Sequence, residues 1–195
     1  MKKNDIKIAV FSSASPSVSQ ENQLLAKEIG TYMHETGLTV VTGGSIGIPG
    51  IIVETAHQLG TKTIVFSPDK NHEEHATRHD NHVLSFYDDV FFCSGLTERS
   101  LKMINFVDAA LILNGRMGTL SEFCISVEEG LPLSIITGTG GISDELTNII
   151  TIANKEFPSE ISSGPSYKEQ IDFLIEHTTS EHRYQIFRRQ NDASP

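Results

Sequence analysis

The chain has no tryptophan and only two cysteines among its 195 residues. Cys93 and Cys124 are far apart in the chain and form no CxxC motif. Neither a disulfide framework nor a paired-cysteine redox motif is therefore expected. This use of cysteine is typical of proteins in a reducing compartment, and we predict a cytoplasmic location.

An excess of positive charge is also absent. Lysine and arginine number 15 against 25 aspartates and glutamates, which gives a formal net charge of −10. Proteins that bind nucleic acid by neutralising its phosphates need a basic surface, so we predict no nucleic-acid partner. A small anionic ligand remains compatible with this charge, because loop amides and helix ends can bind phosphate inside an acidic protein.

Long hydrophobic runs are missing as well. A membrane-spanning helix needs roughly 20 apolar residues, and no stretch of the sequence approaches that length. The N-terminal MKKNDIKIAVF begins with two lysines after the methionine and has no long apolar run behind them, unlike a signal peptide. We therefore predict no membrane partner.

Strand and helix patterns alternate along almost the whole chain. Buried β-branched runs predict strands at Ile6–Phe11, Leu38–Thr42, Thr61–Phe66, Asp89–Cys93, Ala109–Leu113 and Leu131–Thr137. Helical spacing predicts helices at Gln20–Thr36, Ile51–Leu59, Glu98–Val107, Thr119–Glu129, Ser143–Asn154 and Tyr167–His177. The alternation predicts an α/β fold: a Rossmann-like, doubly wound parallel sheet with helices on both faces, in a single domain. We place this domain at residues 1–178 and expect residues 179–195 to form a flexible tail.

Two glycine-bearing turns connect a predicted strand to a predicted helix. The first, VVTGGSIGIPG, spans residues 40–50, and the second, LILNGRMGTLSEF, spans residues 111–123. Ligands of open α/β sheets bind outside the carboxyl ends of the strands, and glycine lets the backbone approach a phosphate closely. Neither turn has the GxGxxG or GxxxxGK[ST] pattern. The alternative is that the first is a tight turn that binds nothing.

Glu122 in the second turn has two interpretations. Thr119 and Glu122 have the three-residue spacing of a capping box, so Glu122 could reach back to a helix-terminal amide. Alternatively, Glu122 stands in the first turn of a phosphate-binding helix, where a carboxylate can stabilise positive charge that develops on a sugar.

These motifs resemble those of the LOG family of phosphoribohydrolases, often called lysine decarboxylase-like, and of the related molybdenum cofactor carrier-like proteins of the SLOG superfamily. NGRMGTLSE at 114–122 is similar to the family motif PGGxGTxxE, and GGSIGIPG at 43–50 is similar to GGxxGLMG. ERSLKM at 98–103 matches the upstream arginine motif, with Asp108 opening the next strand. The resemblance covers roughly residues 6–178 and implies a nucleotide-binding domain.

The resemblance implies that Arg99 and Glu122 are catalytic. The expected reaction is hydrolysis of the N-glycosidic bond of a nucleoside 5′-monophosphate, which yields free base and ribose 5-phosphate. The alternative for Arg99 is a surface ion pair with Glu98 or Asp108. Asn114 and Arg116 replace the proline and second glycine of PGG, and Pro49 replaces a methionine. These departures keep open a second function, a non-catalytic carrier or sensor of a nucleotide or a molybdopterin-type cofactor.

The predicted site needs no cofactor of its own, and its partner is a small nucleotide or other phosphate-bearing ligand. The family also implies a homodimer. The predicted ligand- and phosphate-binding residues are Ser13, Gly43, Gly44, Ser45, Gly47, Gly115, Arg116, Met117, Gly118 and Thr119.

A histidine-rich stretch occupies the polar connection Ser67–Tyr87. On a helix, His72, His75, His79 and His82 would share one face, as metal-binding imidazoles can. The stretch has no HExxH motif. We therefore predict no metal site here and expect a solvated lid over the ligand.

Overall fold

Alternating buried side chains on parallel strands organise the fold. The computed structural model describes residues 6–78 and 81–178, with the backbone only at residues 81–83. In these residues the strands are β1 (Lys7–Phe11), β2 (Thr39–Thr42), β3 (Thr63–Ser67), β4 (Asp89–Phe92), β5 (Ala109–Leu113), β6 (Leu133–Ile136) and β7 (Ile161–Gly164). The α-helices are α1 (Gln20–Glu35), α2 (Ile48–Gln58), α3 (His72–Arg78), α4 (Leu96–Phe106), α5 (Met117–Glu129), α6 (Leu146–Ala153) and α7 (Tyr167–His177).

The strands form one parallel sheet in the order β4-β3-β2-β1-β5-β6-β7. Strand β1 lies between β2 and β5, so the direction in which the chain adds strands reverses at β1. This order confirms the predicted Rossmann-like α/β class. It also fixes the topological switch point, at the carboxyl ends of β1 and β5.

Helices cover both faces of the sheet, because successive side chains of each buried strand point to opposite sides. Ile8 and Val10 of β1 pack with α1, α2 and α7 on one face. Ala9 and Phe11 pack with α4, α5 and α6 on the other. No helix within residues 6–78 and 81–178 is long and apolar enough to cross a membrane.

Three features of the connections differ from the sequence prediction. Strand β7 was not predicted, because its sequence ISSG is short and half polar. The connection at 67–87 contains α3 and a 3-10 helix at Asn81–Phe86. Ser143 does not cap a helix; it lies in a 3-10 helix, Gly141–Glu145, and its hydroxyl donates to the Gly140 carbonyl at 3.1 Å. The predicted tail at 179–195 lies outside the described residues.

Helices α1 and α2 pack closely because Gly30 has no side chain. A Cβ atom at position 30 would stand 2.6 Å from the Ile52 carbonyl oxygen and 2.9 Å from the Thr55 Cβ. Both obstacles belong to the neighbouring helix and cannot rotate away. Gly30 therefore sets the distance between these two helices.

We expect Gly30→Ala to lower the free energy of unfolding by about 1–3 kcal/mol, because overpacking outweighs the better helix propensity of alanine. Urea denaturation measures this change. The control is Glu28→Ala at an exposed position of the same helix, which should stay within about 0.5 kcal/mol of wild type. A Gly30→Ala variant as stable as wild type would contradict the packing argument.

Candidate functional site

A pocket of about 310 Å³ lies at the switch point. The loops that follow β1, β2, β3 and β5 and the first turns of α2, α4 and α5 build its wall. Its lining residues are Val10, Ser12, Ser13, Ala14, Gly43, Ser45, Pro49, Pro68, Leu96, Arg99, Arg116, Gly118, Thr119 and Glu122. The two glycine turns, distant in sequence, therefore face one space.

Arg99 on α4 and Glu122 on α5 form an ion pair on the wall of this pocket. The Arg99 Nη2 donates to Glu122 Oε1 at 2.5 Å, and both side chains are largely buried, with 13% and 7% exposed. The Ser100 hydroxyl lies 3.4 Å from the same carboxylate oxygen and accepts from Arg99 Nη2 at 3.2 Å. The two residues that the resemblance singles out are thus in direct contact.

Gly43 makes room for this ion pair. A Cβ atom at position 43 would collide with the Arg99 guanidinium. The bare backbone after β2 therefore lets the arginine lie flat across the turn and reach α5. The sequence analysis assigned Gly43 to phosphate approach; the structure gives it this second task as well.

Burial raises the pKa of the Glu122 carboxyl above its ordinary value of 4.5, while the Arg99 guanidinium and the Ser100 hydroxyl act in the opposite direction. The desolvation of a carboxylate in a largely dry environment disfavours its charged form. Arg99 is the neighbour that supplies compensating charge. A perturbed carboxyl in a pocket is typical of a functional site.

The amino-terminal ends of α2 and α5 border the pocket, but only α5 has a first turn rich in free amides, because in α2 the Ile48 amide donates to the Ser13 carbonyl at 3.3 Å and Pro49 has no N–H. The N-cap residues Gly47 and Arg116 make no side-chain capping hydrogen bond, and Pro49, Gly118 and Thr119 of the two first turns line the space. Uncapped N–H groups and the positive end of the helix dipole favour an anion. The pocket therefore combines an anion-binding helix end, that of α5, with a buried carboxylate.

In the structure Arg99 and Glu122 pair with each other, in place of the structural alternatives considered for each. Helix α5 begins at Met117, two residues before the predicted start, so Thr119 is no cap and its hydroxyl donates to the Ser12 carbonyl at 3.3 Å. Glu122 reaches Arg99 instead of a helix-terminal amide. Glu98 pairs with Lys102 at 2.8 Å, so it is not the partner of Arg99.

Four predicted ligand residues do not line the pocket. Gly44 has a φ of 72°, and a Cβ there would meet the Val65 side chain at 2.6 Å. Gly47, with a φ of 82°, would press on the carbonyl of Ser13 at 2.6 Å. These two glycines serve the close packing of the turn.

The other two residues outside the lining belong to the second turn. Gly115 has a φ of 90°, and a Cβ there would meet the Thr119 side chain at 2.5 Å. The Met117 side chain is 75% exposed to solvent. Of the ten predicted ligand residues, the pocket brings together Ser13, Gly43, Ser45, Arg116, Gly118 and Thr119.

Pro68 and Leu96 line the pocket and were missed by sequence reasoning. They follow β3 and β4, on the side of the sheet remote from the second glycine turn. Leu96 is 66% exposed although it opens a helix. The sequence held no signal for this position, because the predicted helix begins at Glu98 and the exposure of Leu96 is visible only in the fold.

Asn114 replaces the proline of the PGG motif and keeps the turn in shape. It has a φ of 52°, a left-handed conformation that asparagine tolerates better than most residues. Its backbone amide donates to Thr139 Oγ1 at 2.7 Å and its side chain donates to the Thr139 carbonyl at 2.6 Å. These bonds tie the loop at 138–141 to the second turn.

Where the structure describes it, the histidine-rich stretch is mostly exposed, but His75 is not solvated and no residue of 72–78 lines the pocket. Residues His72–Arg78 form α3, and His75 is fully buried. Its Nδ1 lies 2.8 Å from the Ser67 hydroxyl and 3.3 Å from the Asp69 carboxylate. Within the described part of the chain, no three metal-ligating side chains are grouped closely enough to hold an ion. His79 and the side chain of His82 lie outside the described residues.

A parallel α/β sheet with a pocket at its switch point defines a Rossmann-like protein with a candidate ligand site. The sequence profile of the SLOG cluster4 family matches residues 5–168. The chain belongs to this family, which confirms the resemblance found in the motifs.

Known proteins similar to the chain differ in what they do. The cytokinin riboside 5′-monophosphate phosphoribohydrolase LOG of Oryza sativa subsp. japonica is 30% identical over 117 residues, which are 60% of this chain and 46% of the rice protein. The chain thus spans about half the length of that relative.

Two solved structures share the fold. The molybdenum cofactor binding protein of Rippkaea orientalis has a TM-score of 0.66 at 19% identity, covering 88% of this chain and 97% of its own. DNA processing protein A of Helicobacter pylori, described with single-stranded DNA, has a TM-score of 0.64 at 16% identity, covering 88% and 80%. At these identities the likeness concerns the fold alone.

The raised pKa of Glu122 predicts a pH-dependent stability. The folded state keeps the carboxyl proton to higher pH than the unfolded state does. The protonated Glu122 therefore makes its full contribution to the free energy of unfolding below about pH 4.5, and this contribution is lost as the pH rises through the folded-state pKa. We expect Glu122→Gln, which stays neutral, to gain stability relative to wild type as the pH rises from 4.5 to 8. The gain is about 1.4 kcal/mol for each unit by which the pKa is raised.

Urea denaturation at several pH values measures this difference. The matched control is Glu129→Gln, an exposed position on the same helix, whose stability should parallel that of wild type. A constant difference between Glu122→Gln and wild type across the pH range would contradict the burial argument.

Gly43→Ala should separate Arg99 from Glu122, because the added Cβ collides with the far end of the Arg99 side chain and displaces it. We expect the free energy of unfolding to fall by up to about 3–5 kcal/mol, since Glu122 is left buried without its partner, and the pKa of Glu122 to rise further. NMR titration of the Glu122 carboxyl carbon measures the second effect. Gly118→Ala, where a Cβ meets nothing within 4 Å, is the control and should leave that titration unchanged.

Proposed function

We propose that the protein is a phosphoribohydrolase that cleaves the N-glycosidic bond of a nucleoside 5′-monophosphate. The observation that carries the proposal is the buried Glu122, held by Arg99 at 2.5 Å on the wall of a pocket that the uncapped amino-terminal end of α5 also borders. This helix end suits the phosphate, and the carboxylate suits the sugar. The 30% identity with the rice phosphoribohydrolase supports the same activity.

In the proposed reaction, the bond between the ribose C1′ and the base nitrogen breaks and the base leaves with the bonding electrons. Positive charge then develops on the ribose, as in other glycoside cleavages. The ionised Glu122 carboxylate stabilises this charge and orients a water molecule, whose oxygen bonds to C1′. The water gives up a proton and the departing base gains one, so the products are free base and ribose 5-phosphate.

Arg99 has two tasks in this proposal. Its charge opposes the effect of burial on the pKa of Glu122, which keeps the carboxylate available in its ionised form. Its hydrogen bond to one carboxylate oxygen also fixes the orientation of Glu122, so that the other oxygen is left for the ribose or for water. Removing Arg99 should therefore impair the reaction even though the carboxylate remains.

Incubation with AMP, GMP, CMP and UMP, followed by chromatography for free base and ribose 5-phosphate, tests the proposal. We expect Glu122→Gln and Glu122→Ala to lose at least about 100-fold in kcat, and Arg99→Ala to lose about 10-fold or more. Glu128→Gln, on the same helix but exposed and paired with Lys155, should retain wild-type activity.

Two results would refute the enzyme proposal. One is the absence of base release from every monophosphate tested. The other is release that Glu122→Ala leaves unchanged, because the activity would then arise elsewhere.

The second candidate function is a carrier or sensor that binds a nucleotide or a molybdopterin-type cofactor without turnover. Arg116 in place of a motif glycine and Asn114 in place of the proline favour it. A solved structure of the same fold is a molybdenum cofactor binding protein. Calorimetric binding of a phosphate-bearing ligand without base release would favour this function over the enzyme.

We also propose a cytoplasmic homodimer with no nucleic-acid partner. The net charge of −10 disfavours binding to nucleic acid. On α4, Ile104 is buried whereas Leu101 is 42% exposed, so the outer side of the helix that carries Arg99 offers an apolar contact to a second copy. Light scattering after size-exclusion chromatography measures the oligomeric state.

A further inference from the structure

Arg116 is a cation at the pocket that the proposed reaction does not use. It is the N-cap residue of α5, and its exposed side chain lines the pocket beside Gly118 and Thr119. In residues 6–78 and 81–178, no carboxylate forms an ion pair with its guanidinium. Arg99, by contrast, is committed to Glu122.

The charges of the pocket can be counted. Arg99 and Glu122 cancel when both are ionised, and no other acidic residue lines the pocket within the described part of the chain. The uncapped end of α5 contributes roughly half a positive charge. The end of α2 contributes less, because its Ile48 amide is bonded to the Ser13 carbonyl and Pro49 has no N–H. Without Arg116 the pocket therefore offers less than about one positive charge, and with Arg116 it offers roughly one and a half to two.

This difference separates two kinds of phosphate. A phosphate diester carries one negative charge, whereas a terminal phosphate monoester carries about −1.5 to −2 near neutral pH, with its second pKa at about 6. The helix ends alone fall well short of the charge of the monoester dianion. Only the helix ends together with Arg116 come close to balancing it.

We infer that Arg116 is a specificity-determining residue that selects ligands with a terminal phosphate monoester in its doubly charged form. The inference rests on the ligand-binding part of the proposed function. It assigns to Arg116 the recognition of the second negative charge of the phosphate monoester. It does not require turnover, so it holds for an enzyme and for a carrier alike. Where the family motif has a glycine, this arginine adds a positive side chain beside the backbone amides that would bind the phosphate.

The test compares ribose 5-phosphate with its methyl diester, two ligands without a glycosidic bond to a base. They share the sugar and differ in the second phosphate charge. Binding is followed by NMR titration of the full chain at pH 5 and pH 7.5. We expect wild type to prefer the monoester about tenfold at pH 7.5 and less than about threefold at pH 5, because the monoester loses its second charge near pH 6.

Arg116→Ala should bring the two ligands to within about threefold at both pH values, while Arg116→Lys should keep most of the preference at pH 7.5. Glu122 also lines the pocket and can titrate in this pH range, so the contribution of Arg116 is obtained by comparing Arg116→Ala with wild type at the same pH. Lys102→Ala removes an exposed cation that pairs with Glu98 outside the pocket lining, and its ratio should match that of wild type.

Three outcomes would overturn the inference: an Arg116→Ala ratio equal to that of wild type, a wild-type ratio independent of pH, or no binding of either ligand at millimolar concentration. ADP-ribose, with one charge on each of two linked phosphates, is a further ligand in the test. If it bound more tightly than ribose 5-phosphate and this depended on Arg116, the assignment to a monoester would be overturned.

Base release from AMP is measured separately. If wild type hydrolyses AMP but does not prefer the monoester, only the role of Arg116 is refuted. If wild type prefers the monoester but does not hydrolyse AMP, only the enzyme proposal is refuted.

Discussion

The ion pair between Arg99 and Glu122 joins α4 to α5 across the point where the sheet reverses direction. Two charges with little solvent access are costly to bury, and breaking such a pair by removing one partner typically costs about 3–5 kcal/mol. The contact is possible because Gly43 leaves the guanidinium room to cross the turn. A loop after β2, a helix after β4 and a helix after β5 thus depend on one interaction for their arrangement around the pocket.

Much of the fold could be predicted from the sequence because the alternation of strands and helices is strong. Six strands were found from their runs of buried β-branched residues, whereas the half-polar ISSG of β7 gave no comparable signal. Such local patterns could not predict the order of the strands in the sheet. Pro68 and Leu96 reach the pocket only because β3 and β4 lie on the same side of β1 as β2, so no local pattern could assign both of them to it.

The glycines and histidines show where residue type alone is ambiguous. Gly43 lines the pocket, while the adjacent Gly44 avoids a collision with Val65 beneath the turn. The two glycines are neighbours in the sequence, and only the packing around each shows that their roles differ. His75 likewise has the spacing of a ligand but is buried against Ser67 and Asp69. Polar residues in a connection predict exposure on average, and a hydrogen-bonded interior site overrides that average.

The pocket keeps features that would be costly in a site without a ligand. Helix ends without caps leave amides unsatisfied, and a buried carboxyl with a raised pKa weakens the fold as the pH rises. Asn114 builds this turn in a way that proline could not, because its φ of 52° lies outside the range of the proline ring and its bonds to Thr139 hold it there. Two residues later, Arg116 adds a positive charge at the pocket. One substitution therefore sets the backbone of the turn, while the other changes the charge that a bound anion would meet.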